Sequence, residues 1–134
     1  MKTLLRLSLF VALMSTMLIS CEEDTLPGEN YQNQFLGTWN AAEKTGYNSP
    51  QNYTVEISRG SNQDEIIIRG LYNNTDVMVS AELFGLEIEI PFQTSDSISF
   101  TGSGQASIDF DQVSIDFIAN DGSGDDRVKV ILTR

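Results

Sequence analysis

From Phe35 to the C-terminus the chain alternates apolar with polar residues in short runs separated by turn-forming pairs. Alternation of period two sends successive side chains to opposite faces of a strand, so such runs read as strands with one buried face. Gly37 to Lys44 carries the first. Tyr53, Val55 and Ile57 alternate with Thr54, Glu56 and Ser58; Glu65 to Leu71 is rich in isoleucine. Val77, Val79, Ala81 and Leu83 are followed by Leu86, Ile88 and Ile90, and then by Ile98, Phe100, Gly102, Gly104, Ala106 and Ile108. Val113, Ile115 and Phe117 precede a last strand with Val128, Val130 and Leu132. Eight strands with short links predict an all-β, antiparallel up-and-down meander, and closing it into a barrel removes its open edges.

The turns fit this reading. Phe84-Gly85 is expected as a two-residue hairpin loop that pairs Leu83 with Leu86, Ala81 with Ile88 and Val79 with Ile90. A slip of one residue would put each of these opposite a polar residue. Asn73-Asn74, Asp109 to Gln112 and Asp121-Gly122-Ser123-Gly124 supply further turns. Gly102 and Gly104 fall on the inward face of the longest strand. There they either permit the bend that closure needs or leave a shallow apolar pocket near one end, beside Phe100. The inward set is otherwise bulky, including Ile57, Ile66, Ile68, Leu86, Ile88, Ile90, Ile98, Ile115 and Phe117, so the interior is expected to be mostly filled.

The N-terminus has a different grammar. Lys2 and Arg6 make a positive start, and an apolar run from Leu7 to Ile19 follows, broken by Ser8, Ser15 and Thr16. It is shorter than the roughly 20 apolar residues of a membrane span and fits a signal peptide over residues 1–20. The run ends in Leu18-Ile19-Ser20-Cys21, which resembles the lipobox of bacterial lipoproteins. The resemblance implies that Cys21 is the lipidated residue and holds the protein to the outer membrane. Each buried methylene contributes about 0.8 kcal/mol, so more than one acyl chain gives stable retention. Glu22-Glu23-Asp24 resembles the surface-export signal of Bacteroidota lipoproteins, implying exposure on the cell surface. Asp24-Thr25-Leu26 and Asp96-Ser97-Ile98 resemble the O-glycosylation site of the same bacteria, at Thr25 and Ser97. Residues 21–34, with Pro27, Gly28, Asn30, Gln32 and Asn33, read as a flexible tether to a domain at 35–134.

Phe35-Leu36-Gly37-Thr38-Trp39 resembles the Gly-x-Trp opening of lipocalin-like barrels. With the strand count and meander order, the chain resembles small lipocalin-like (calycin-type) lipoproteins of the Bacteroidota. The resemblance implies that Trp39 closes one barrel end with an arginine from late in the chain against it, either Arg127 or Arg134. The chain is short for that family and lacks the disulfides many of its members carry.

Composition narrows the chemistry. There is one cysteine and no histidine, which excludes a His–Cys zinc site and a triad with a histidine base. The net charge is -11; Lys2 and Arg6 fall in the leader, so the rest of the chain is two charges more negative. Such a surface repels nucleic acid. Asp121 to Asp126 spaces its oxygen-bearing side chains as calcium loops do, but Leu132 stands where the terminal glutamate belongs, so a hairpin loop without metal is expected. Glu82, Glu87 and Glu89 alternate outward onto a wall with no cleft, and no nucleophile motif, phosphate loop or dinucleotide fingerprint is present. No enzymatic activity and no cofactor are expected. Two functions stay open: a binding module taking a small apolar or amphiphilic ligand at the barrel mouth, through Trp39, Phe100, Gly102 and Gly104, or a structural or protein-interaction module of the cell envelope with a filled barrel.

Overall fold

A computed structural model describes residues 28–134, with side chains from Tyr31. The signal peptide, Cys21, the acidic run and Thr25 lie outside the described residues. Helix α1 (Gly28–Phe35) leads into β1 (Gly37–Thr45), β2 (Gln51–Arg59), β3 (Glu65–Arg69), β4 (Met78–Phe84), β5 (Glu87–Ser95), β6 (Ile98–Ala106), β7 (Gln112–Asn120) and β8 (Asp125–Thr133). A single 3₁₀ turn, Leu71–Asn73, interrupts the link from β3 to β4. All eight strands form one closed antiparallel barrel in sequence order, and β1 pairs with β8 to complete it. Among the described residues no helix is long and apolar enough to cross a membrane.

The alternation read from the sequence is the alternation of burial. Val79, Ala81 and Leu83 point in while Ser80 is half-buried and Glu82 is exposed; Val113, Ile115, Phe117 and Ala119 point in from β7, and Val128, Val130 and Leu132 from β8. These side chains and the isoleucines of β2, β3 and β5 form one continuous core. Removing that apolar surface from water, at about 25 cal/mol per Å², is the main force that holds the barrel closed.

Four details differ from the sequence reading. The β4–β5 hairpin turns at Gly85-Leu86, so Leu83 faces Ile88 and Glu82 faces Glu89. Gly85 takes φ +63 at the first loop position, the placement a type II′ turn favours, and this one-residue shift of the loop leaves Val79, Ala81, Leu83, Ile88 and Ile90 inward. Leu86 therefore sits half-buried in the turn, and Ile98, at the mouth of β6, is half-buried too. Strand β6 ends at Ala106, and Ile108 is 87% exposed in the following loop instead of continuing the inward face.

The fourth is α1, where a tether was expected up to Gln34. Propensity does not make this helix: an eight-residue segment is too short to be stable alone. Tertiary contacts hold it. Phe35 is fully buried, and the Gln32 side chain, 3% exposed, donates to the backbone carbonyls of Asn62 (2.9 Å) and Glu65 (2.7 Å) at the β2–β3 turn. Arg59 donates back to Gln32 Oε1 at 2.9 Å and to the Asn33 side chain. The folded domain therefore begins at α1, before Phe35.

Candidate functional site

Trp39 is fully buried on β1, and its indole N–H donates to the Phe35 carbonyl at 2.8 Å. The Arg134 guanidinium lies 4.0 Å from the ring centroid and also donates to the Gln34 carbonyl. Of the two arginines expected near this ring, Arg134 takes the place; Arg127 is exposed on the outer wall. Phe35 meets Phe110 edge-on at 5.3 Å, and Tyr31 lies 5.7 Å from the same ring. At this end of the barrel the indole is buried beneath Arg134, and the Tyr31, Phe35 and Phe110 rings pack on one another.

Phe100 is buried deep in the interior against Phe117 (6.1 Å) and Tyr72 (6.5 Å). Gly102 and Gly104 face Phe117 and Ile115 across the β6–β7 ladder. A Cβ on Gly102 would stand 2.3 Å from the Asp116 carbonyl oxygen and 2.7 Å from Phe117 Cα; one on Gly104 would stand 2.7 Å from the Ser114 carbonyl oxygen. The glycines thus let β7 close onto β6, which is the bend reading of the sequence. The space beside them opens outward. A groove of about 1120 Å³ runs over the outer face of β5–β8, with Gly102 and Gly104 in its floor and Phe84, Phe92, Glu87, Glu89, Asp116 and Arg127 among its walls. A bulge in β5 between Ile90 and Gln93 turns Phe92 outward, 75% exposed. Phe84, 57% exposed, lies at the hairpin end of β4. Of the four residues expected to bind a ligand, Gly102 and Gly104 line this groove; Trp39 and Phe100 do not.

The barrel end opposite Trp39 holds a group the sequence reading missed. Glu43 is 1% exposed and Asp126 2% exposed, both on inward positions of their strands. Tyr53 donates its hydroxyl to Glu43 Oε2 at 3.0 Å, and Tyr72 donates to Asp126 Oδ2 at 2.8 Å. The Tyr47 backbone N–H is shared by Asp126 Oδ1 (3.0 Å) and Oδ2 (3.2 Å). Tyr72 reaches this place from the β3–β4 link with φ +62, an uncommon conformation for a bulky residue, while its ring packs edge-on against Phe100 and Phe117. Burial pushes the Glu43 carboxyl up from its ordinary range; the Gln51 and Tyr53 side chains pull it down by less, and the Asp126 charge adds to the rise. Burial and the neighbouring carboxylates also hold both phenols protonated, as donors. A signal was present: Glu43 follows Trp39 and Ala41 in phase, and Asp126 precedes Val128 and Val130 in phase, so each is an acid on a core-facing position.

In the β7–β8 loop Asp121 and Asp125 use side-chain oxygens on their own neighbours. Asp121 Oδ1 accepts from the Ser123 backbone (3.0 Å) and hydroxyl (2.6 Å), which lowers its pKa, and Asp125 accepts from Asn120 at 2.9 Å. Among the described residues no group of three or more acidic, cysteine or histidine side chains is gathered as a metal site.

No family model and no curated protein matches the chain. Its fold is similar to that of a solved structure of a redesigned β-barrel, with 13% identity, a TM-score of 0.51, and coverage of 78% of this chain and 94% of that one. At that identity the likeness concerns the eight-stranded barrel fold alone.

Proposed function

We propose that the chain is a lipid-anchored cell-envelope protein whose barrel is a filled protein-interaction module, engaged through the outer groove over β5–β8 by an extended, positively charged polypeptide segment. The anchor rests on the lipobox-like Leu18-Ile19-Ser20-Cys21, and surface display on the acidic run after it. The groove carries the interaction reading: it is lined mostly by outward-facing residues of β5–β8, while the inward residues pack on one another in one core. Glu87, Glu89 and Asp116 outnumber Arg127 along the groove, and the whole chain is acidic, so a cationic segment is the complementary partner. A small apolar ligand inside the barrel has no such support.

Two experiments test this. Wild-type protein should take up an alkynyl fatty acid in cells and partition into detergent, and Cys21→Ala should do neither; equal partitioning of the two would remove the anchor. A photo-crosslinking residue at position 92 should give a discrete protein adduct on intact cells, lost on charge reversal at Glu87 and Glu89, and the same residue at position 108 should not. Saturable one-to-one binding of a fluorescent fatty acid would instead restore an interior carrier.

A further inference from the structure

The end of the barrel that holds Trp39 is also the end at which the chain enters. Helix α1 lies there: Gln32 holds the β2–β3 turn, and Tyr31 and Phe35 meet Phe110 of the β6–β7 loop. That loop is tied so that one side chain stands out. Asp109 Oδ1 accepts from the Ser107 hydroxyl at 2.7 Å and from the Asp111 N–H at 3.3 Å, and the Phe110 N–H donates to the Ser107 carbonyl at 3.0 Å. Phe110 packs against the core, and Ile108, between the tied residues, is left 87% exposed. The β4–β5 turn is its neighbour: the Ala106 N–H donates to the Leu86 carbonyl at 2.8 Å, and Leu86 is half-buried. Two aliphatic residues thus stand on adjacent loops with surface in water, a state that burial would relieve.

Covalent geometry fixes what lies nearest to this end. Six residues separate Cys21 from Gly28, and a chain spans at most about 3.6 Å per residue, so α1 starts within about 25 Å of Cys21. The opposite loops lie a nine-residue strand further off, about 30 Å along the chain. We propose that, once Cys21 is lipidated, this end of the barrel faces the bilayer and Ile108 and Leu86 dip into its interface, a second and reversible contact that depends on that anchor. Charge selects the lipid. Asp109 and Asp111 are exposed beside Ile108, and Glu22-Glu23-Asp24 follow the anchor, so anionic headgroups repel this face and zwitterionic ones accept it. Two aliphatic residues are too few to hold a free protein on lipid; the short tether supplies the local concentration at which so small a contact forms. Held this way, the barrel presents its side wall, and the outer groove with it, to the solvent.

The test uses the full-length lipidated protein on phosphatidylcholine vesicles, with a nitroxide on Ile108→Cys or, at the opposite end, on Ser123→Cys. Cys21 is the only other thiol and is consumed by the lipid. Both labelled proteins should float with the vesicles. The label at 108 should lose its collisions with a water-soluble nickel chelate and gain them with oxygen, whereas the label at 123 should keep the nickel collisions. Replacing part of the phosphatidylcholine by phosphatidylglycerol should weaken the shielding at 108. A floating protein whose 108 label is as open to nickel as its 123 label would overturn the contact and leave the anchor standing. A protein that does not float would remove anchor and contact together. Shielding at 108 on native membranes but not on pure lipid would assign the tip to a protein partner and overturn the lipid contact.

Discussion

The two ends of this barrel are closed by opposite means. At one, Trp39, Phe35 and Phe110 pack under α1, and Arg134 covers the indole face. At the other, a tyrosine from the β3–β4 link fills the opening and hands its hydroxyl to a buried carboxylate. The first closure gains from every apolar atom it removes from water. The second spends part of its gain on desolvating two acids, and leaves one oxygen without a donor. An end built as the first is suited to permanence. An end built as the second has its stability tied to the pH of the solution.

This contrast can be broken by substitution. Trp39→Ala should have the largest effect, a loss of about 3–5 kcal/mol in urea unfolding, because it empties the centre of the sealed end. A loss below about 1 kcal/mol would mean that the ring is not core. Gln32→Ala should cost about 1–3 kcal/mol, since it leaves the β2–β3 turn carbonyls without their donors. A denaturation midpoint unchanged from wild type would return α1 to the tether.

At the polar end the sign reverses. Glu43 holds its proton more tightly in the folded chain than in the unfolded one, and the groups facing it are Asp126, Tyr53 and Gln51. Below the ordinary carboxyl value of 4.5 both states carry the proton and stability is complete. As pH rises the unfolded chain ionises first, so stability should fall until pH has passed the raised folded value. At pH 7, Glu43→Gln should therefore be more stable than wild type by about 1 kcal/mol and should flatten that slope. A variant less stable than wild type at every pH would show that the carboxylate is a net contributor. The smallest effect belongs to Arg134→Ala, at about 0.5–1 kcal/mol for an exposed cation over a ring. A larger loss would make the arginine, and not the buried aromatics, the main element of the seal.

Much of the fold was legible because a barrel wall has one rule, in and out by turns. The strands, their order and the burial of Trp39 all follow from it. What escaped was set by contacts between distant segments. Helix α1 exists because Gln32 and Phe35 find partners that no local pattern announces. The β4–β5 turn moved by one residue because Gly85 fits the first loop position, and alternation is blind to a shift that preserves phase. Glu43 was not singled out and Asp126 was assigned to a hairpin loop, although both stand in core phase. Gly102 and Gly104 marked a bend, but on which side of the wall the space would open depends on how closely β7 approaches.

Closure between the first strand and the last carries a consequence for how the chain reaches its native state. Ala41 meets Leu132, about 90 residues away, the kind of distant pairing that slows folding. A ribosome releases β1 long before β8. Until Asp125–Thr133 has emerged, β1 keeps one row of backbone donors and acceptors unpaired, an adhesive edge that other chains can join. The barrel therefore cannot close before β8 has left the ribosome, and a chain cut before Asp125 should be captured by chaperones or aggregate instead of forming a slightly smaller barrel.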